Sequence, residues 1–143
     1  MSCSSASLQA SITGGDGSAA GSAFPYLVLT NTGADTCTLS GYPGVSFVGY
    51  QNGTQLGAPA LRVDESSVQT VTLASGQSSH SRLRIARGEN YPAATCAPVQ
   101  ADGFRVYPPD ENQALFAAAS GFTACSNDGV SLIMVGPMEP GAA

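Results

Sequence analysis

Charged side chains are scarce in this sequence, and one kind of cation is missing altogether. Lysine, arginine, aspartate and glutamate make up 10% of the 143 residues, against roughly a quarter in ordinary soluble domains. There is no lysine, and five arginines against ten acids give a formal net charge of -5. A surplus of negative charge repels nucleic acids and anionic membranes. We therefore expect a protein that does not bind nucleic acid, although the arginines could form a local patch.

Long hydrophobic runs are also missing. No segment approaches the roughly eighteen apolar residues of a membrane span, and no charged and apolar leader precedes the domain. The sequence therefore predicts no transmembrane segment. Met1 stands two residues before Cys3. We interpret it as a start residue added to a mature domain whose export signal has been removed.

Residues for catalysis are few. His80 is the single histidine, and no GxSxG motif is present, so a Ser-His-acid site lacks its usual sequence signature. The adjacent acids Asp64-Glu65 and Asp110-Glu111 stand beside turn signals and are predicted to be solvated loop residues. We expect His80 to be an exposed residue at the start of a strand. The sequence thus predicts no catalytic residues and a protein that is not an enzyme.

Metal and cofactor sites have equally little support. The four cysteines form no CxxC pair, and a single histidine cannot complete a zinc site of standard spacing. The glycine-rich loop at 14–21 has one carboxylate, where a calcium loop needs several. No helix with a lysine follows it, as a phosphate-binding loop would require. We therefore predict no metal and no cofactor.

The cysteines that are present indicate an oxidising compartment. Four cysteines without a metal motif favour two disulfides, and such bonds persist in secreted or envelope proteins. Three pairings are open. We favour Cys3 with Cys37 and Cys96 with Cys125, because each pair closes a loop of roughly 30 residues between neighbouring strands and so stabilises the fold by about 4 kcal/mol.

Hydrophobic alternation has a period of two, which is typical of strands. It recurs at 7–13, 68–74 and 79–87, where Arg82 and Arg84 fall on the wet face. About nine short strands, separated by turn residues such as Asn52-Gly53, predict one all-β sandwich domain over residues 1–143. Segment 111–120 fits a strand or a short helix, and residues 136–143 are predicted to be a flexible tail.

Aromatic residues stand directly before four of the nine prolines. Residues before proline are extended, so these pairs mark strand ends. One hypothesis is that Tyr42, Tyr91 and Tyr107 gather at one end of the sandwich as a binding rim; the alternative is that they only cap it. In GYPGV, residues 41–45, we predict a corner between two strands or sheets, with the bond before Pro43 as a candidate for the cis form.

Several motifs together resemble a known family. These are LTNTGADTCTLSGYPGVSFV, VTLASGQS, GFRVYPP and the last cysteine before VSLIMV. They are similar to an uncharacterised secreted domain common in actinobacteria, often found in lipoproteins. The resemblance extends from Cys3 to Val135 and implies an immunoglobulin-like β-sandwich with two disulfides outside the cytoplasm and no assigned activity. The matching core positions are Leu29, Asn31, Gly33, Cys37, Leu39, Gly41, Tyr42, Pro43, Gly44 and Val45.

Three functions remain to be weighed. The first is a non-enzymatic secreted or envelope domain that binds a protein or cell-wall component or serves as a surface spacer. The second is a carrier of a small apolar ligand or lipid between the sheets, which requires an enclosed pocket lined by residues such as Phe47, Phe104 and Leu132. A hydrolase ranks third, and it needs His80 close to a serine and an acid in a cleft.

Overall fold

The computed structural model describes residues 1–14, 18–19, 22–63 and 67–142, and these residues are mostly in strands. The strands are β1 Leu8–Thr13, β2 Ser18–Ala19, β3 Ser22–Ala23, β4 Tyr26–Asn31, β5 Cys37–Ser40, β6 Gly44–Gly49, β7 Thr54–Leu56, β8 Leu61–Arg62, β9 Thr70–Leu73, β10 Ser78–Ala86, β11 Pro98–Tyr107, β12 Leu115–Ala118, β13 Thr123–Cys125, β14 Ile133–Val135 and β15 Glu139–Pro140. A short helix, α1, spans Ala93–Cys96, and single 3-10 turns span Ser5–Ser7 and Gly88–Asn90.

The strands form two principal sheets and one small one. The larger sheet has the order β1-β4-β10-β14-β8, and the short strands β3 and β15 also pair with β10. The second sheet has the order β12-β11-β6-β7, with β13 paired to β11. Strands β5 and β9 pair with each other alone. The predicted all-β sandwich is confirmed, and the strands outnumber the nine expected because β10 and β11 each pair with several short segments.

One hydrophobic core lies between the sheets. Leu27 and Leu83 of the larger sheet and Phe104 and Val106 of the second sheet are all at most 1% exposed and belong to the same cluster. Along β10, alternate residues are buried from Ser79 to Ile85, while Arg82 and Arg84 are exposed. The period-two prediction is therefore confirmed in the longest strand of the larger sheet.

Both favoured disulfides are confirmed. Cys3 is bonded to Cys37 and Cys96 to Cys125, with Cα–Cα distances of 4.9 and 4.5 Å. The first bond ties the N-terminal segment to β5, where the Cys3 amide also donates to the carbonyl of Thr38. The second ties α1 to β13. Each bond thus attaches to the sandwich a segment that has few strand partners of its own.

The GYPGV segment forms a corner, as predicted. It connects β5 of the small sheet to β6 of the second sheet. Gly41 has a φ of 108°, a conformation that favours glycine. The candidate cis bond before Pro43 is not adopted, because no peptide bond among the described residues is cis.

The structure decides the conformation of one further segment and corrects the expectation for another. Segment 111–120 contains strand β12, in which Ala117 is fully buried against β11, so pairing with the sheet outweighs the helix propensity of alanine. Residues 136–143 are predicted to be a flexible tail, yet β15 pairs with β10 and Met138 is fully buried. An apolar side chain in the core holds this segment on the sheet through its described residues, which end at 142.

Candidate functional site

The three tyrosines of the hypothetical rim do not meet at one end. Tyr107 ends β11, and the residue opposite it is Gly44, two positions after Tyr42. Tyr91 precedes α1 and therefore lies near Pro98, where β11 begins. A strand of ten residues separates its ends by about 30 Å. The structure brings Tyr42 and Tyr107 to one end of the second sheet and Tyr91 to the other.

Tyr42 itself has structural partners. Its hydroxyl donates a hydrogen bond to the carbonyl of Val63 at 2.8 Å. The guanidinium carbon of Arg62 lies 5.2 Å from the centre of the Tyr42 ring, which is within the range of a cation–π contact. These contacts fix the chain after β8 against the GYPGV corner. Tyr42 therefore joins parts of the fold rather than presenting a free ring.

His80 is more enclosed than the sequence predicts. Its side chain is 14% exposed, with Nε2 3.8 Å from a carboxylate oxygen of Glu139. Nδ1 lies 3.0 Å from the carbonyl oxygen of Gly141, and the Tyr26 ring meets the imidazole edge-on. The expectation of an exposed strand-start histidine was wrong because the C-terminal segment covers it. Within the described part of the chain, the side chain of His80 contacts an acid, a carbonyl and a ring but no serine. This arrangement gives a hydrolase no support.

Of the two pairs of adjacent acids, the structure describes Asp110-Glu111 but not Asp64-Glu65. Asp64 and Glu65 lie outside the described residues, as does most of the loop at 14–21. Glu111 is not simply solvated, because it accepts hydrogen bonds from the amide and hydroxyl of Ser5 at 2.7 and 3.2 Å. Among the described residues, no group of three or more His, Cys, Asp or Glu side chains could hold a metal ion.

The residues suggested for an apolar ligand pocket fill the core instead. Phe47 and Phe104 stack with centroids 4.7 Å apart, and Phe122 packs against both rings. Phe47, Phe104 and Leu132 are at most 5% exposed. They occupy the space between the sheets where a carried lipid would have to lie. The packing of the described residues therefore gives the carrier hypothesis no support.

The outer face of the second sheet carries an exposed aromatic pair. Phe116 on β12 is directly opposite Arg105 on β11 and is 57% exposed. Tyr107, two residues along β11 on the same face, is 37% exposed. Phe116 and Tyr107 are thus diagonal neighbours on adjacent strands, and residues in such positions are typically about 7–8 Å apart. We call these three residues the Phe116 face.

The neighbours of the Phe116 face are small or already engaged. Tyr107 lies beside Gly44, where an added Cβ would stand 3.4 Å from that of Tyr107. The guanidinium of Arg105 donates hydrogen bonds to the Gly53 carbonyl at 2.5 Å and the Gln55 side chain at 3.3 Å. These bonds hold the Arg105 side chain towards β7, on the opposite side of β11 from Phe116. The sequence reasoning missed Phe116, because an alanine-rich segment does not show which of its side chains face solvent.

The fold and its surface define a class: an all-β sandwich closed by two disulfides, with an exposed aromatic face on one sheet. The chain belongs to the family described as "Domain of unknown function (DUF4232)", whose model matches residues 3–139. No curated protein and no solved structure matches the chain. No helix among the described residues is long and apolar enough to cross a membrane.

Proposed function

We propose that this domain is a non-enzymatic interaction module that holds a protein or cell-wall component outside the cytoplasm, as a secreted or envelope-attached domain of the actinobacterial type. The Phe116 face carries the proposal. Aromatic and arginine side chains provide most of the energy at protein interfaces. A ring with more than half of its surface exposed gains that energy only when a partner covers it.

The chemistry of the disulfide bonds supports the proposed location. Two disulfides cross-link the sandwich, and such bonds are maintained in oxidising compartments and reduced in the cytosol.

The Phe116 face is rigid, because Phe116 and Tyr107 lie on strands rather than loops. A rigid aromatic surface loses little side-chain entropy on binding, which supports a role in recognition.

Affinity capture from an envelope extract of the source organism tests the proposal. The bait is the disulfide-bonded domain, compared with the double variant Phe116→Ser/Tyr107→Ser. The matched control is Leu61→Ser, because Leu61 is 58% exposed on β8 of the other sheet. We expect a partner that wild type and the control retain and the double variant loses. Equal retention by all three baits, or no partner for wild type, would overturn the proposal.

A further inference from the structure

A cleft opens on the outer face of the larger sheet, at the middle of β10. On one side, β10 pairs with β4 up to Arg82 and with β3 from Ile85 onward. The register is the same for both strands, and Phe24-Pro25 continues along β10 between them. On the other side, β10 pairs with β15 and then with β14, and the register shifts by one residue between them, next to Pro137. The pairing of β10 is therefore irregular on one side, close to Arg82.

The resulting cleft has a volume of about 190 Å³. Arg82 and Arg84 are part of its floor, and Phe24, Met134, Pro137 and Glu139 are among the residues around them. Sites for drug-sized ligands usually measure roughly 300–1,000 Å³. A ligand that fills this cleft is therefore small.

The two arginines of the floor are not neutralised by any residue that the structure describes. They are separated by one residue on β10, so both side chains stand on the outer face about 7 Å apart at their Cα atoms. Within the ranges that the structure describes, neither guanidinium has an ion pair or hydrogen bond. Arg62 and Arg105, by contrast, are engaged with the Tyr42 ring and the Gly53 carbonyl.

One acid limits the charge of the cleft. Glu139 is part of the lining, but its carboxylate is directed at His80, 3.8 Å from Nε2. Among the described residues that line the cleft, two arginines and one glutamate leave a single positive charge. A ligand with one negative group complements this charge, and a second negative group would face Glu139.

The remaining walls are apolar. Phe24 and Met134 flank the arginines from opposite sides of β10, and Pro137 contributes a third apolar surface that is itself buried. An anion that also carries an apolar body would cover these side chains, whereas a bare inorganic ion would leave them in water. A planar carboxylate matches the forked donors of arginine.

We propose that this cleft binds a small monocarboxylate with an apolar body, of the aryl-alkyl type, with Arg82 and Arg84 as the carboxylate ligands. The site lies on the larger sheet and is independent of the Phe116 face. The carboxylate sits between the two guanidinium groups, and the apolar body rests against Phe24 and Met134.

An NMR titration of the full domain with 4-phenylbutyrate tests the site, with 4-phenylbutanol as the uncharged match. We expect phenylbutyrate to shift the amides of Leu83, Met134 and Gly136. Substituting the alcohol removes the charge-assisted bonds and weakens binding about tenfold. Arg82→Gln and Arg84→Gln each weaken phenylbutyrate binding by a similar factor. Glu139→Gln strengthens it, because it removes a repelling charge.

The matched control is Arg87→Gln. Arg87 is exposed just after β10 and lies outside this cleft, and its guanidinium has no hydrogen bond or ion pair among the described residues. The Arg87→Gln variant changes the net charge as the test variants do, and we expect its affinity for phenylbutyrate to be within about twofold of wild type. The proposal is overturned if phenylbutyrate shifts none of the three amides, if the alcohol binds equally well, or if Arg87→Gln weakens binding as much as Arg82→Gln.

Discussion

The hydroxyl of Tyr42 donates a hydrogen bond to the carbonyl of Val63, at 2.8 Å. This bond connects the corner between two sheets to the segment that follows β8 of a third. The neighbouring Gly41 carbonyl accepts a bond from the amide of Met138, so the C-terminal segment is anchored to the same corner. GYPGV therefore acts as a junction of the fold.

Replacing Tyr42 with phenylalanine separates the two contacts of its side chain. The variant keeps a ring beneath the guanidinium of Arg62 but leaves the Val63 carbonyl without this donor. We expect the free energy of unfolding to fall by about 1 kcal/mol, measured by urea denaturation with the disulfides intact. Tyr50→Phe is the control, because Tyr50 is 60% exposed. An equal loss in both variants would contradict the assignment.

Asn31 should be among the least replaceable polar residues of the sandwich. It is fully buried, and its side-chain amide donates to the carbonyls of Asp35 and Leu73 at 2.8 and 3.0 Å. Its side-chain oxygen accepts from the amide of Gly33 at 2.9 Å. We expect Asn31→Ala to lower the free energy of unfolding by about 3 kcal/mol, because buried backbone groups lose their partners.

The control for Asn31 is Asn112→Ala, an exposed asparagine in the loop before β12. Its unfolding free energy should remain within about 0.5 kcal/mol of wild type. Thermal or urea unfolding of both variants is sufficient for the comparison. A small effect of Asn31→Ala would show that water replaces the lost bonds, which contradicts the buried network.

Two buried serines on β10 should respond in opposite directions. Ser79 and Ser81 are both fully buried. The Ser79 hydroxyl has no partner among the residues that the structure describes, whereas Ser81 donates to the Gly136 carbonyl at 2.8 Å. Removing an unpaired buried hydroxyl relieves a desolvation cost. We expect Ser79→Ala to raise the unfolding free energy by about 1 kcal/mol and Ser81→Ala to lower it by a similar amount. Destabilisation by Ser79→Ala would reveal a partner for that hydroxyl.

Loss of either disulfide should cost much of the stability. The bonded cysteines are separated by 34 and 29 positions, which corresponds to about 4 kcal/mol for each bond in the chain-entropy model. We therefore expect Cys3→Ala/Cys37→Ala and Cys96→Ala/Cys125→Ala each to unfold at markedly lower urea concentration. Removing both pairs should prevent folding. A reduced domain as stable as the oxidised one would contradict this account.

Much of the fold could be predicted from local patterns. Alternation along β10 identified a strand because each residue's face depends only on its position in the pleat. The disulfide pairing followed from loop length. The short segment of β12 could not be assigned, because alanine suits a helix and only burial of Ala117 against β11 selects the strand. The C-terminal segment was misjudged for a similar reason, since Met138 reveals its role only when the core is assembled.

The candidate sites depended more strongly on the tertiary structure. Tyr91 and Tyr107 look alike in sequence, because each precedes a proline. In the structure they lie near opposite ends of β11. Only the register of neighbouring strands shows that Phe116 is exposed at the surface and that Arg82 and Arg84 form the floor of a cleft. The sequence by itself determined the alternating strands such as β10, the turns and the disulfides, because these depend on residues near in the chain or on the order of cysteines. Which side chains meet was decided only by the pairing of distant strands, which depends on burial over the whole chain.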